Sequence, residues 1–220
     1  MTLATNALHL EDTPLLRALR DSIAMLARAH HHRDPFTCHH QERVGRLAAS
    51  IGALMGLRPL RLKILHLAAI VHDIGKLGVP AEIIGKPGKL SDAEYSLVQT
   101  HCDIGHDILM QLRAPFPIAE IVHQHHERID GSGYPRGLRG IAILEEARIL
   151  AVADTYDAMS SYRPYRAPLS EDFVLGELHK MAGHLLDPGA VDACVRHVLS
   201  GTTAHPATAA LVDAPVNQVS

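Results

Sequence analysis

Apolar residues return along this chain at spacings of three, four and seven, the period of an α-helix, while alternation with period two is scarce. So patterned, the chain is confined to an all-α fold, with helices predicted over about 14–32, 38–56, 59–75, 91–111, 116–126, 142–160, 170–184 and 188–200. Thr13-Pro14, Pro59 and Asp187-Pro188 mark helix starts with proline in the first turn, and Ser91-x-x-Glu94 is a capping-box pattern. Two connections break the rhythm. Gly78 to Leu90 holds Pro80, Gly85, Pro87 and Gly88, and Arg128 to Gly140 holds four glycines and Pro135. Long glycine-rich loops in a compact bundle tend to serve a site. The 220 residues suit a single domain: an amphipathic N-terminal helix within 1–33 carrying Leu16, Leu19, Ile23 and Leu26, a body over 34–200, and a flexible tail over 201–220.

Polar residues continue the apolar stripes where the core should be. Val44, Leu47, Ala48 and Ile51 lead back four residues to His40, and Leu65, Ala68 and Ala69 lead forward to His72, with Asp73 beside it and Lys76 a turn later. Leu97, Ile104 and Ile108 share a face with His101. Ile118, Ile121 and Val122 lead to His125, next to His126, and Ala147, Leu150 and Ala151 lead to Asp154. A lone buried imidazole is ordinarily satisfied by a carbonyl, but five helices aiming imidazole or carboxylate inward each carry a desolvation cost that one shared cation removes. Imidazole and carboxylate suit first-row transition ions, and seven candidate ligands exceed the needs of one open centre, which predicts two metal ions. Two ions ~3.5–4 Å apart can hold a bridging hydroxide and clamp an in-line displacement at phosphorus, so phosphate-ester hydrolysis is the expected reaction class.

Other residues fit that chemistry. Arg163 and Arg166 follow Asp154 by nine and twelve residues and match phosphate oxygens in shape and charge. Lys76 can neutralise a phosphoryl oxygen or leaving alkoxide, and in Asp130-Gly131-Ser132-Gly133-Tyr134-Pro135 the glycines permit close approach of a ligand while Tyr134 can stack on a base. The net charge of −3 gives no field for tracking duplex DNA or RNA. No apolar run is long enough for a membrane span or secretory segment. Three cysteines without CxxC spacing read as reduced thiols, and the whole reads as a cytoplasmic protein.

His72-Asp73-Ile74-Gly75-Lys76, His125-His126-Glu127, Asp130-Gly131-Ser132-Gly133-Tyr134-Pro135 and Asp154 with Arg163-Pro164-Tyr165-Arg166 resemble, in order and spacing, the bacterial HD-GYP domain, from about Asp34 to Ala193. The resemblance implies an HD-type helical bundle with a glycine-rich GYP loop. It also implies a metal-dependent phosphodiesterase that hydrolyses cyclic di-GMP to pGpG and, in many members, GMP. The implied cofactors are two divalent ions, iron most often, with manganese or another first-row metal as alternative. Carried over, the ligands are His40, His72, Asp73, His101, His125, His126 and Asp154, with Asp73 bridging; Asp73 and Lys76 are catalytic, and Gly133, Tyr134, Pro135, Arg163 and Arg166 bind substrate. Implied partners besides cyclic di-GMP are diguanylate cyclase-type or other signalling proteins and a second copy of the chain.

Some members of that family hold a third metal through a glutamate four residues before the first histidine ligand. Phe36 stands there, so two ions are expected. His30, His31, His32 and His39 are expected to face solvent or support the ligands, and the short stretch before Asp34 predicts no attached input domain. Two readings stand beside hydrolysis of cyclic di-GMP: a non-hydrolysing cyclic di-GMP sensor or protein-interaction module, and a phosphohydrolase acting on another nucleotide. Imidazole ligation predicts metal loss as pH falls toward about 6.

Overall fold

The computed structural model describes residues 13–33, 35–162 and 168–201, with the side chains of 32, 33 and 35–38 outside the described set. Every regular element among the described residues is helical, and the only β pairing there is two isolated bridges, Asp130 with Arg139 and Ala182 with Leu186. In chain order the α-helices are α1 (Pro14–Arg33), α2 (Pro35–Leu54), α3 (Pro59–Ile70), α4 (Ala81–Ile84), α5 (Asp92–Gln99), α6 (His101–Met110), α7 (Ile118–Gln124), α8 (Glu145–Ser160), α9 (Glu171–Met181) and α10 (Pro188–Leu199). Short 3₁₀ turns lie at Ile74–Gly78 and Gly140–Ala142. No described helix is long and apolar enough to cross a membrane.

The sequence signals for helix starts act as anticipated. The Ser91 hydroxyl accepts from the Glu94 N–H while the Glu94 carboxylate accepts from the Ser91 N–H, a complete capping box. Asp187 caps α10 by accepting from the Ala190 N–H ahead of Pro188, and Thr13 accepts from the Leu16 N–H at the head of α1. Helix α1 buries Leu16, Leu19 and Ile23 and packs against α2, α3 and the Ile74–Gly78 turn. The centre of the bundle is α2 against α3 and α8, through Val44, Ala48, Ile51, Leu65, Ala68, Ala147 and Leu150, all fully enclosed.

Three elements differ from the pattern reading, two of them at the polar cluster. The helix expected to run to residue 75 ends at Ile70, and His72-Asp73 occupy a tight turn that leads into the 3₁₀ segment. The helix expected over 91–111 is broken at Thr100 into α5 and α6. After that break the buried face of α6 runs through His101, Cys102, Gly105 and Leu109. Leu97 is exposed and Ile104 and Ile108 are only half-buried, so the stripe proposed there was displaced although His101 itself is enclosed. The segment Gly78 to Leu90 also contains the single-turn helix α4.

The buried face of α6 meets another segment backbone to backbone. A Cβ on Gly75 would lie 1.9 Å from the His101 carbonyl oxygen and 2.5 Å from the Gly105 nitrogen, so the turn after His72-Asp73 rests directly on the backbone of α6. Cys102 and Cys194 are buried free thiols; Cys38 falls among the side chains outside the described set. Gly75→Ala is expected to force the turn off α6, costing about 1–3 kcal/mol or more in chemical denaturation and weakening metal uptake. Unchanged stability in that substitution would contradict the close approach.

Candidate metal centre

Three imidazoles are set by the same local device. His72, His101 and His125 each turn Nδ1 toward the carbonyl three residues back, at Ala69 (2.7 Å), Val98 (2.7 Å) and Val122 (2.5 Å). A carbonyl only accepts, so Nδ1 carries the proton and Nε2 is left with a lone pair. Those Nε2 atoms converge. His101 Nε2 lies 3.4 Å from His125 Nε2 and 3.6 Å from Asp73 Oδ1, and His72 Nε2 lies 3.5 Å from Asp73 Oδ2 and 3.9 Å from Asp154 Oδ1. Lone pairs therefore face lone pairs inside a core where His72, Asp73, His101 and His125 are at most 3% exposed. Such a set is stable only around positive charge.

The ligand atoms fall into two groups, each within 4.8 Å: His40, His72 and Asp73 on one side, and Asp73, His101, His125 and His126 on the other. Asp73 belongs to both. Asp154 joins the first group, 3.2 Å from His40 Nε2. The donors, imidazole nitrogen with carboxylate oxygen, fit a first-row divalent ion. All seven residues expected as ligands are thus brought together.

Electrostatics divide the imidazoles. Burial and the neighbouring imidazoles hold His125 well below its usual range, burial pushes His126 down to about 3, and His101 is likewise lowered, chiefly by burial. His40 goes the other way: burial disfavours its charge, but hydrogen bonds to Asp154 and Asp157 outweigh that and raise it to about 9. For Asp73 and Asp154, burial alone would raise the carboxyl. Lys76 and the imidazoles hold Asp73 well below the carboxylate range, and His40, His72 and His126 do the same for Asp154. Lys76 Nζ donates to Asp73 Oδ2 at 2.6 Å, which places its ammonium at the edge of the cluster.

Tyr134 lies against the cluster, its ring 4.8 Å from that of His126, and makes edge contacts with His101 and Tyr95. Gly133 brings the loop there: a Cβ on it would come within 2.4–2.5 Å of the backbone of Arg128, Glu127 and His126. Pro135 follows through a cis peptide. Arg163 and Arg166 lie outside the described residues, as does the side chain of Phe36. Of the neighbouring histidines, His39 is exposed and His31 half-buried, whereas His30 is buried and accepts a hydrogen bond from Gln41. His32 falls outside the described side chains.

Two supporting carboxylates were missed in the sequence. Asp157 accepts from His40 Nδ1 at 2.7 Å and from Arg43 at 2.6 and 2.9 Å, turning His40 Nε2 toward Asp154. Glu127, 2% exposed, accepts from the Arg136 and Leu138 N–H groups and so pins the loop bearing Gly133 and Tyr134. Asp157 sits one turn after Asp154, and Arg43 one turn after His40. That matched spacing was the available signal.

Residues 24–189 match the HD domain family model, and the chain belongs to the HD domain family. It is 41% identical over 179 residues to the cyclic di-GMP phosphodiesterase response regulator RpfG of Xanthomonas campestris, covering 80% of this chain and 47% of that protein. It is 40% identical over 178 residues to 3'3'-cGAMP-specific phosphodiesterase 1 of Vibrio cholerae, covering 80% of this chain and 41% of that one. The chain thus spans less than half the length of these curated relatives. The fold is shared with a solved HDG"Y"P protein from Bdellovibrio bacteriovorus, with a TM-score of 0.65 at 18% identity over 89% of this chain and 68% of that one.

Asp157→Asn removes the charge that orients His40 and is expected to weaken metal affinity about 10–100-fold, and to lower the melting temperature of the metal-free chain because the His40 and Arg43 contacts to that carboxylate lose their charge. Equal metal retention in a competition dialysis would refute the role. The raised His40 pKa stabilises the metal-free chain fully below about 6.5, and that contribution is lost as pH rises through about 9. Metal must displace this proton, so loading is expected to weaken as pH falls from about 9 toward 6.5, with proton release detectable by calorimetry in buffers of different ionisation enthalpy. No proton release at pH 8 would exclude it.

Proposed function

We propose that the chain is a metal-dependent phosphodiesterase acting on a cyclic dinucleotide, cyclic di-GMP first, giving the linear dinucleotide pGpG. What carries the reading is the facing of unprotonated Nε2 atoms against each other and against a carboxylate shared by two ligand groups. We assign one divalent ion to His40, His72, Asp73 and Asp154 and a second to Asp73, His101, His125 and His126, iron most often with manganese as alternative. Phe36 at the place of a third-metal glutamate supports two ions. When bound, such ions supply positive charge to phosphoryl oxygens and acidify water.

The chain's own groups take the remaining tasks. Asp73 holds the two halves of the site together. Lys76 Nζ, already paired with Asp73, is positioned to share its charge with a phosphoryl oxygen or the leaving alkoxide. Tyr134, held over His126 by the glycine-rich loop, offers an aromatic edge to a base, and Arg163 and Arg166 supply phosphate contacts. The assignment of the whole protein's partners, among them cyclase-type signalling proteins and a second copy of the chain, belongs to the same proposal.

A second substrate has a specific observation behind it. Relatives named for cyclic di-GMP and for 3'3'-cGAMP match at 41% and 40% identity, so overall similarity does not separate the two. Both nucleotides are expected to compete for one site, and their kcat/KM ratio decides which is the substrate.

The test is turnover of cyclic di-GMP by anaerobically metal-loaded protein, followed by chromatography. Linear dinucleotide is expected, with Asp73→Ala falling to the protein-free rate and Lys76→Ala losing about 10²–10³-fold in kcat. Saturable nucleotide binding without product would overturn hydrolysis in favour of sensing. Elemental analysis giving one ion per chain would overturn the dinuclear assignment.

A further inference from the structure

We propose that α6 and α7 carry a second divalent-cation site on their outer face, formed by His106, Glu120 and His123 and suited to a zinc-class ion. One ligand atom from each of the three lies within 4.8 Å of the others. His106 comes from α6; Glu120 and His123 come from α7 at positions i and i+3, the spacing that sets carboxylate and imidazole side by side on a helix. His106 Nε2 is 3.3 Å from Glu120 Oε1, and the two imidazole rings lie 4.5 Å apart at 30°.

This cluster is separate from the inner centre. His106 follows His101 by five residues, roughly 140° around α6, and His123 precedes His125 by two, roughly 200° around the local axis. None of its three residues is shared with the inner groups.

The hydrogen bonds leave ligand positions free. The Nε2–H of His123 donates to Asp103 Oδ1 at 2.8 Å, which puts the ring proton on Nε2 and a lone pair on Nδ1. That Nδ1 is buried without a hydrogen-bond partner. An imidazole backed by a carboxylate on one nitrogen and open on the other is the usual state of a metal ligand. Glu120 is held similarly: Oε2 accepts from Arg136 at 2.9 Å and Gln124 at 3.1 Å, and Oε1 faces His106. An imidazolium–carboxylate pair between His106 and Glu120 would satisfy those two residues alone. It leaves the buried Nδ1 of His123 unpaired and sets a cation against its ring. Two imidazoles and one carboxylate with an open position suit Zn2+ better than Mg2+ or Ca2+.

An ion here would clamp the two helices that carry the inner ligands, since α6 begins at His101 and α7 leads into His125 and His126. Through Arg136 it would also touch the loop that follows Pro135.

The test compares the parent chain with a His106→Ala/His123→Ala variant, both equilibrated with micromolar free Zn2+, desalted and measured by elemental analysis. The variant is expected to hold one zinc ion fewer per chain; equal contents overturn the proposal. Should the variant unfold, the parent alone decides. Zn2+ is expected to protect His106 and His123 from carbethoxylation read by mass spectrometry, while the exposed His179 and His184 stay reactive. Labelling of His106 and His123 that is indifferent to zinc overturns the site.

Discussion

A carboxylate taken into a helical core must meet positive charge there, and Asp73 meets part of it in Lys76 while imidazole lone pairs face its oxygens from the other sides. It is 3% exposed, and Lys76, His72 and His101 all point at its two oxygens. The backbone around it is arranged for that encounter. Ending α3 at Ile70 frees His72 and Asp73 from helical geometry, and Gly75 then lets the following turn sit on the backbone of α6, which carries His101 to within 3.6 Å of Asp73. A methyl group at position 75 would push those partners apart, so the glycine is as much part of the site as the ligands.

The imidazoles are positioned by their own helices and not by one another. At His72, His101 and His125 the carbonyl three residues back fixes one nitrogen, a bond available where a helix ends, since the last carbonyls have no intrahelical partner. Five of the seven expected ligands accordingly stand at helix termini, two just beyond α3, one at the start of α6 and two just beyond α7, while His40 and Asp154 project from within α2 and α8. Terminal placement lets several elements converge on one point while their apolar stripes continue into the core behind it. Because the local bonds set tautomer and direction, the lone pairs are aimed before any cation arrives, which lowers the ordering cost of binding.

The all-α class and the seven converging residues were legible because a charged or imidazole side chain on an apolar stripe is costly and therefore conspicuous. His40, His72, His125 and Asp154 were each reached by counting along a stripe, and the capping box at Ser91 followed from local chemistry alone. His101 was reached through a stripe that the structure does not keep, since Leu97 is exposed and the helix breaks at Thr100. The face of α6 that is buried instead meets the backbone at Gly75, a non-local contact invisible to periodicity. Asp157 and Glu127 stayed hidden for a similar reason: their partners are His40 and Arg43, 117 and 114 residues away, and two loop N–H groups, none of which spacing along one helix displays. Asp157 also lies on the same helix as Asp154, where a second carboxylate reads as a solvated neighbour until α2 is packed against it.

A histidine-rich chain also shows what separates a ligand from an ordinary core imidazole. Burial does not: His30 is as enclosed as Asp73, yet it accepts from Gln41 and joins no group of metal donors. A bond to a carbonyl does not either, since His179 bonds the Leu175 carbonyl at the surface. The distinguishing feature is where the second nitrogen points once the first is engaged. At His72, His101 and His125 it points at other acceptors, an arrangement that repels itself without a cation. Counting protons on each ring therefore separates charge-demanding clusters from satisfied ones, and it does so from hydrogen bonds alone, independent of which metal or nucleotide the site takes.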